Sequence, residues 1–307
     1  MKVLTVATRP GQLAVAQTRI VISALKRKFP DIQIEIRKVT TRGDRDRRTA
    51  LWNLRSAGFF TSQVEDALLA GEADFAVHSF KDLPTRERDG LSIAAVCDRQ
   101  FPQDCLIAVV PVNSIDQLGS SAKIGTSSLR RAAQFRRLRA DLQLTPIRGN
   151  VQTRLGKLDK GEFDAVILAR AGLERLGLGR RISLVFDPSQ FIPAPAQGAL
   201  AVQTRSGDKE LRKQLSAIDD GKVRRITSAE RQVLATMQCG CHAPVGAFAR
   251  IIGEDIEICA FISDLQGQNL IRRQLIGPAE NADQVAEKLA HQLLEAGGKE
   301  ILESFEK

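Results

Sequence analysis

The feature that most constrains this chain is a rhythm: a strand-like run, then a helix-like run, repeated, interrupted and begun again. Residues 2–7 read as a buried strand. Residues 13–29 carry helical periodicity through Leu13, Ala16, Ile20, Ile22 and Leu25, and stop before Pro30. Residues 32–39 alternate through Ile32, Ile34 and Ile36, as a strand does. Residues 61–70 form a short helix, and 73–79 a strand that ends in the polar cluster Ser79-Phe80-Lys81-Asp82. Two further strands follow at 91–97 and 104–110. Then the rhythm restarts. Ile124 leads into Gly125-Thr126-Ser127-Ser128 and a helix through Leu138. Residues 142–147 are a strand, Arg148-Gly149-Asn150 opens another helix, and 163–168 is a strand with a helix beyond. Such alternation predicts an α/β architecture with two similar sheets.

The remainder reads differently. Residues 40–57 are polar and rich in arginine, a loop signal, and a loop of that length is functional or mobile. After Ile192-Pro193-Ala194-Pro195 comes a strand at 198–203, then a helix at 223–237. Residues 246–275 alternate like an antiparallel sheet with a turn near 264–267, and an amphipathic helix covers about 282–295. This predicts a small C-terminal α+β domain, with its boundary near 219–221.

Charge narrows the partner. Lys and Arg number 45 against 36 Asp and Glu, a net +9, which favours an anionic partner (an acidic metabolite, a nucleic acid or an anionic membrane), with a solvated basic surface as the competing reading. With no Tyr, one Trp and 13 Phe, the chain is poor in the aromatic platforms on which single strands stack. A nucleic-acid binder is therefore disfavoured. Five cysteines and three histidines argue against both a disulfide framework and a His-rich metal centre. No apolar run approaches the roughly 18 residues of a membrane span. Arg9 also interrupts the N-terminus before a signal-peptide core could form, so a cytoplasmic location is expected.

Three places have unusual local chemistry. In Gly125-Thr126-Ser127-Ser128-Leu129-Arg130-Arg131 two arginines occupy a first helical turn, where the helix dipole disfavours cations by roughly 0.3–1 kcal/mol each. A bound anion would reverse that penalty; solvated arginines on a capped surface helix are the other reading. Arg148-Gly149-Asn150-Val151-Gln152-Thr153-Arg154 repeats the pattern, and two such sites on successive βα units favour anion binding. Asp82, just past the carboxyl end of a strand, either pairs with Lys81 in a loop or, in a ligand site, stabilises a cationic intermediate or acts as acid or base. Cys239-Gly240-Cys241-His242 holds either a reactive thiol on a glycine-containing loop or structural cysteines.

Taken in order, these stretches resemble one family, hydroxymethylbilane synthase, also called porphobilinogen deaminase. The resemblance is carried by Ala7-Thr8-Arg9, Thr41-Arg42-Gly43-Asp44 and Ala73-Asp74-Phe75-Ala76-Val77-His78-Ser79-Phe80-Lys81-Asp82-Leu83-Pro84. It continues through both arginine segments, Ala171-Gly172-Leu173-Glu174-Arg175-Leu176-Gly177, Gln197-Gly198-Ala199 and Cys241-His242-Ala243-Pro244-Val245-Gly246. The order and spacing hold over nearly the whole chain.

The resemblance implies two periplasmic-binding-protein-like α/β domains, at 1–98 with 199–218 and at 103–192, and a third α+β domain at 221–307. It implies a cytoplasmic, monomeric transferase of porphyrin and haem biosynthesis. The enzyme joins four porphobilinogen units head to tail onto a covalent dipyrromethane primer and releases ammonia and hydroxymethylbilane. No metal, nucleic acid or membrane is implied. Asp82 matches the catalytic aspartate, which steadies the positive charge of the azafulvene left when ammonia departs. Cys241 matches the thioether cysteine. Ser79, Lys81, Ser127, Ser128, Arg130, Arg131, Arg148 and Gly149 match cofactor-binding positions, and Arg9, Arg148, Arg154, Arg175 and Gln197 substrate-binding ones. Arginine forks suit the acetate and propionate groups of such a chain.

This chain departs from the family's pattern at Gly11, Asn53, Ala57, Ala196 and Cys239, where the family usually has Ser, Lys, Lys, Gly and Gly. Arg45, Arg47, Arg48 or Arg55 are the candidates to replace the two lysines, and Cys239 is a second candidate thiol. A different expectation is a non-catalytic, two-lobed binder of acidic ligands. It follows from the loop departures and is opposed by Asp82 and Cys241.

Overall fold

The strands run in chain order β1 (Leu4–Thr8), β2 (Ile34–Lys38), β3 (Phe75–Ser79), β4 (Leu91–Cys97), β5 (Asp104–Ala108), β6 (Lys123–Gly125), β7 (Gln143–Thr145), β8 (Ala165–Ala169), β9 (Leu184–Val185), β10 (Leu200–Arg205), β11 (Val245–Ile252), β12 (Asp255–Ser263) and β13 (Leu270–Pro278). They are seen in a computed structural model that describes residues 3–45, 61–238 and 243–305. Cys239, Cys241, Asn53, Ala57, Arg47, Arg48 and Arg55 lie outside the described residues.

The described chain divides into two compact units. The first holds residues 3–45, 61–100 and 198–224; the second holds 101–197, 225–238 and 243–305. In the first, a five-stranded sheet has the order β2-β1-β3-β10-β4. Strands β1, β2 and β3 are parallel, and β10 runs antiparallel between β3 and β4. Alternation along β3 explains why helices cover both faces. Phe75 and Val77 pack with Val21 and Leu25 of the helix Gln12–Lys28, while Ala76 packs with Val64 and Leu68 of the helix Ser62–Leu69.

The second unit repeats this plan. Its sheet has the order β7-β6-β8-β5-β9, with β6, β7 and β8 parallel and β5 antiparallel to both its neighbours. Ala165 and Ile167 of β8 meet Phe135 of the helix Leu129–Leu138; Val166 and Leu168 meet Leu155 and Leu158 of the helix Val151–Asp159. The same unit carries the antiparallel sheet β11-β12-β13. Even-numbered residues of β12 (Ile256, Ile258, Ala260, Ile262) face the helices Gly221–Thr236 and Ala282–Leu293, while Cys259 and Phe261 face Ile192. The fold is therefore the expected pair of α/β sheets with a small α+β part.

Some expected elements shifted for physical reasons. The strand read at 142–147 is only Gln143–Thr145, because Ile147 leaves the ladder to bond a side chain described below. Within the loop read at 40–57, Arg42–Arg45 form one helical turn. The helix Lys209–Leu215, capped by Asp208 accepting from the Leu211 amide at 3.1 Å, was not anticipated, nor was β9, which is too short to show periodicity.

Candidate active site

In each unit the chemistry-bearing residues fall at one edge of the sheet, the carboxyl ends of its parallel strands, where open α/β sheets bind ligands. In the second unit β6 leads into Thr126, Ser127 and Ser128. Ser128 caps the helix Leu129–Leu138, its hydroxyl accepting from the Arg131 amide at 3.4 Å. The Ser127 hydroxyl donates to the Ile147 carbonyl at 2.5 Å and accepts from the Ile147 amide at 3.0 Å. Both serines expected beside a ligand's carboxylates thus have protein partners. Ser127 also ties down the residue before Arg148.

Gly149 follows with φ +112°, and a Cβ there would lie 2.5 Å from Thr153 Cγ2, so the turn admits only glycine. Asn150 caps the next helix by accepting from the Thr153 amide at 2.9 Å. Arg154, half-buried, donates from Nε to the Gly149 carbonyl at 2.9 Å. Burial, reinforced by the positive charges of Arg131 and Arg148, pushes the Arg154 guanidinium down to about 10. Arg154, with the positive charges of Arg131 and Arg148 acting on it at a sheet's ligand-binding edge, belongs to a set for which a polycarboxylate is the complementary charge. By that criterion the residues present fit the dipyrromethane cofactor, whose side chains are carboxylates. Arg175 ends the helix Arg170–Arg175, which follows directly on β8.

Arg130 and Arg131 already have an anionic partner within the fold. Both are buried, and the protein supplies the anion itself. Asp104, fully buried at the start of β5, lies 2.7 Å from Arg130 Nη2 through Oδ2. Its Oδ1 accepts from Arg131 Nε (3.0 Å), Arg131 Nη2 (2.7 Å) and Gln197 Nε2 (2.9 Å). Burial alone would raise the Asp104 carboxyl, but the charges of Arg130 and Arg131, with the bonds from Arg131 and Gln197, hold it well below the usual carboxylate range. Arg130 Nη1 also donates to the Ile192 carbonyl at 2.6 Å, and Arg131 Nη1 to the Ile167 carbonyl at 3.2 Å. Sequence reasoning missed Asp104 because an acid at a strand's first residue reads as a boundary. The available signal was that two adjacent arginines entering the apolar stretch Ala132-Ala133 need an internal counter-ion.

In the first unit Arg9 follows β1 and pairs with Asp44, Nη2 to Oδ1 at 2.5 Å. Burial works against the Asp44 charge, yet bonds from Arg9 and Thr41 bring its carboxyl below the ordinary value. Gly11 is the N-cap of the helix Gln12–Lys28 and supplies no side-chain cap. At the end of β3, Ser79 accepts from Gln17 Nε2 at 2.8 Å. The turn Phe80–Asp82 is pinned by the Phe80 amide donating to the Ala199 carbonyl at 3.0 Å. Within that turn Lys81 is half-buried and Asp82 is exposed.

Two family models match the chain, described as porphobilinogen deaminase, dipyromethane cofactor binding domain, over residues 4–213, and porphobilinogen deaminase, C-terminal domain, over residues 225–295. The chain belongs to the porphobilinogen deaminase family. A porphobilinogen deaminase of Natranaerobius thermophilus is 40% identical over 304 residues, covering 97% of each chain. One of Desulforudis audaxviator is 42% identical over 299 residues, covering 97% of this chain and 96% of the other. One of Maridesulfovibrio salexigens is 39% identical over 303 residues, covering 99% and 98%. No described helix is long and apolar enough to cross a membrane. Among the described residues no group of three or more His, Cys, Asp or Glu could hold a metal ion. Cys105 and Cys259 are buried; burial pushes their thiols up to about 12 and about 11, so neither is poised as a nucleophile.

Proposed function

We propose that this chain is a hydroxymethylbilane synthase that condenses four porphobilinogen units in sequence. In each cycle the aminomethyl C–N bond of an incoming unit breaks and its nitrogen leaves as ammonia. A C–C bond then forms to the α-carbon of the preceding pyrrole, which loses its proton. When bound, the dipyrromethane cofactor supplies the first such pyrrole. The observation that supports the reading is that Arg131, Arg148 and Arg154 follow the carboxyl ends of the parallel strands β6 and β7 in a chain of this family.

In this reading Arg148, Arg154, Arg175 and Arg9 hold acetate and propionate groups, with Arg130, Arg131, Gly149, Ser127, Ser128, Ser79, Lys81 and Gln197 shaping or lining the site. Asp82 offers an exposed carboxylate on a pinned turn, suited to positive charge developing on a pyrrole nitrogen as ammonia leaves. Cys241 is the thiol for the covalent primer, one per chain. The domains divide as 1–98 with 199–218, 103–192 and 221–307. The enzyme acts as a cytoplasmic monomer on small molecules, without nucleic acid or membrane.

Intact mass of the purified chain, before and after porphobilinogen is added, tests this. The expected result is an excess of two pyrrole units over the 33.6 kDa polypeptide, rising when substrate is added. A mass equal to the bare polypeptide under both conditions would overturn it.

A further inference from the structure

Strand β5 runs opposite to its neighbour β8, and Asp104 pairs in register with Ala169. The first residue of β5 therefore lies at the edge where the parallel strands β6, β7 and β8 end, level with Ser127 and Arg148 rather than at the far side of the sheet. A fully buried carboxylate has been brought to the ligand-binding edge, yet it faces two arginines of its own chain.

The two arginines are used differently. Arg130 reaches past Asp104 to the Ile192 carbonyl, an oxygen that also accepts from Gln134 Nε2 at 3.0 Å. The Ile192 amide donates to Gln134 Oε1 at 2.7 Å. Next along, the Pro193 carbonyl accepts from the Ala247 amide of β11 at 3.2 Å, and a Cβ on Gly246 would sit 2.9 Å from the Ile192 carbonyl. Arg130 thus braces the segment on which the C-terminal sheet seats. Arg131 instead spends three of a guanidinium's five N–H groups, two on Asp104 Oδ1 and one on the Ile167 carbonyl. Its charge reaches Arg154.

We propose that Asp104 is a positioning residue, clamping Arg131 in the first turn of the helix that follows β6 so that its positive charge is held at the same sheet edge as Arg148 and Arg154 to receive the carboxylates of the acidic pyrrole chain, while Arg130 serves as a brace. This rests on the functional reading above and adds to it a residue that touches neither substrate nor cofactor. Gln197, bonded to the same oxygen and to the Pro102 carbonyl at 2.8 Å, completes the clamp. Because Asp104 halves the charge of the buried pair, the pair is tolerated in the interior, and Arg131 is pre-oriented before any ligand arrives.

A double-mutant cycle on the full chain tests this, with Asp104→Asn, Arg131→Gln and both together. For each, cofactor occupancy is read by intact mass, porphobilinogen KM and kcat by steady-state kinetics, and folding by thermal midpoint. Asp104→Asn should raise KM about tenfold and lower occupancy, because a charged clamp is lost. In the Arg131→Gln background it should change neither, because its effect passes through Arg131. A folded Asp104→Asn variant with KM and occupancy within about twofold of wild type, or effects that multiply in the double variant, would overturn the proposal. Should Asp104→Asn not fold, Asp104→Glu keeps the charge and displaces the guanidinium by one methylene. It should raise KM likewise, and an unchanged KM would overturn the proposal. A wild-type chain without adduct overturns the functional reading, and this one with it, through a separate measurement.

Discussion

Ser127 grips Ile147 twice, its one hydroxyl donating to the carbonyl at 2.5 Å and accepting from the amide at 3.0 Å. Both backbone groups are buried, so Ser127→Ala leaves a donor and an acceptor without partners. The expected loss is about 1–3 kcal/mol of stability, read as a lower urea midpoint with unchanged slope. Because Arg148 is the next residue, KM for porphobilinogen should rise as well. An unchanged midpoint and KM would show that the bridge is dispensable.

Gly149 and Gly156 sit seven residues apart and should respond with opposite sign. At Gly149 the positive φ and the Thr153 side chain oppose any Cβ, so Gly149→Ala should destabilise by about 1–3 kcal/mol or more. At Gly156, inside the helix Val151–Asp159, a Cβ meets nothing within 4 Å, so Gly156→Ala should stabilise by roughly 0.5–1 kcal/mol. Thermal midpoints of the two variants, compared with wild type, decide this.

Ala196 holds φ +60°, and its amide donates to the buried Glu230 carboxylate at 2.7 Å. An L-residue in that conformation is strained by roughly 1–2 kcal/mol. Ala196→Gly should relieve the strain and keep the bond, for a net gain of about 0.5–1 kcal/mol after the entropy of the unfolded glycine is subtracted. A lower denaturation midpoint would contradict this account of the turn.

His78 is buried in β3, and burial, partly offset by the neighbouring Gln203 side chain and aided by the positive charge of Arg9, pushes its imidazole from the ordinary value of 6.5 down to about 4. The folded state therefore excludes a proton that the unfolded state accepts. The stability so contributed is complete above pH 6.5 and is lost as pH falls from there through about 4. The slope from this one group approaches about 1.4 kcal/mol per pH unit. Urea midpoints across that range should fall more steeply for wild type than for His78→Gln, and parallel curves would assign the acid sensitivity elsewhere.

Asp82→Asn removes a charge from an exposed position in a pinned turn, so the fold and thermal midpoint should survive. Turnover should fall by about two to three orders of magnitude, the scale of losing one preorganised electrostatic partner of a developing charge. Near-normal turnover would take Asp82 out of the reaction.

Much of this could be read from the residues. The strand Leu91–Cys97 and the end of the helix at Leu138 lie where periodicity put them, because each is bounded by a polar or glycine-rich break. The arginine segments followed from a local conflict between charge and helix dipole. What could not be read was long-range: Asp104 meets Arg131 across 27 positions, and Gln197 meets Asp104 across 93. Nothing in a window of sequence marks an acid at the head of an antiparallel strand as the partner of arginines on a later helix. Strand order alone brings them together. The shortening of the strand at Gln143–Thr145 has the same origin, since Ile147 prefers Ser127, 20 residues away, to the ladder.

The strand order also sets a timetable for synthesis. Strand β10 lies between β3 and β4 in space, but it is made only after all of β5 to β9. As the polypeptide leaves the ribosome, β3 and β4 must wait side by side unjoined, while the sheet built from β5 to β9 has every strand it needs. The later-made sheet should thus be the first to close. A nascent chain arrested once β9 has cleared the exit tunnel, with β10 still inside it, should protect Leu106 and Ile167 from hydrogen exchange while leaving Val77 and Ala95 open.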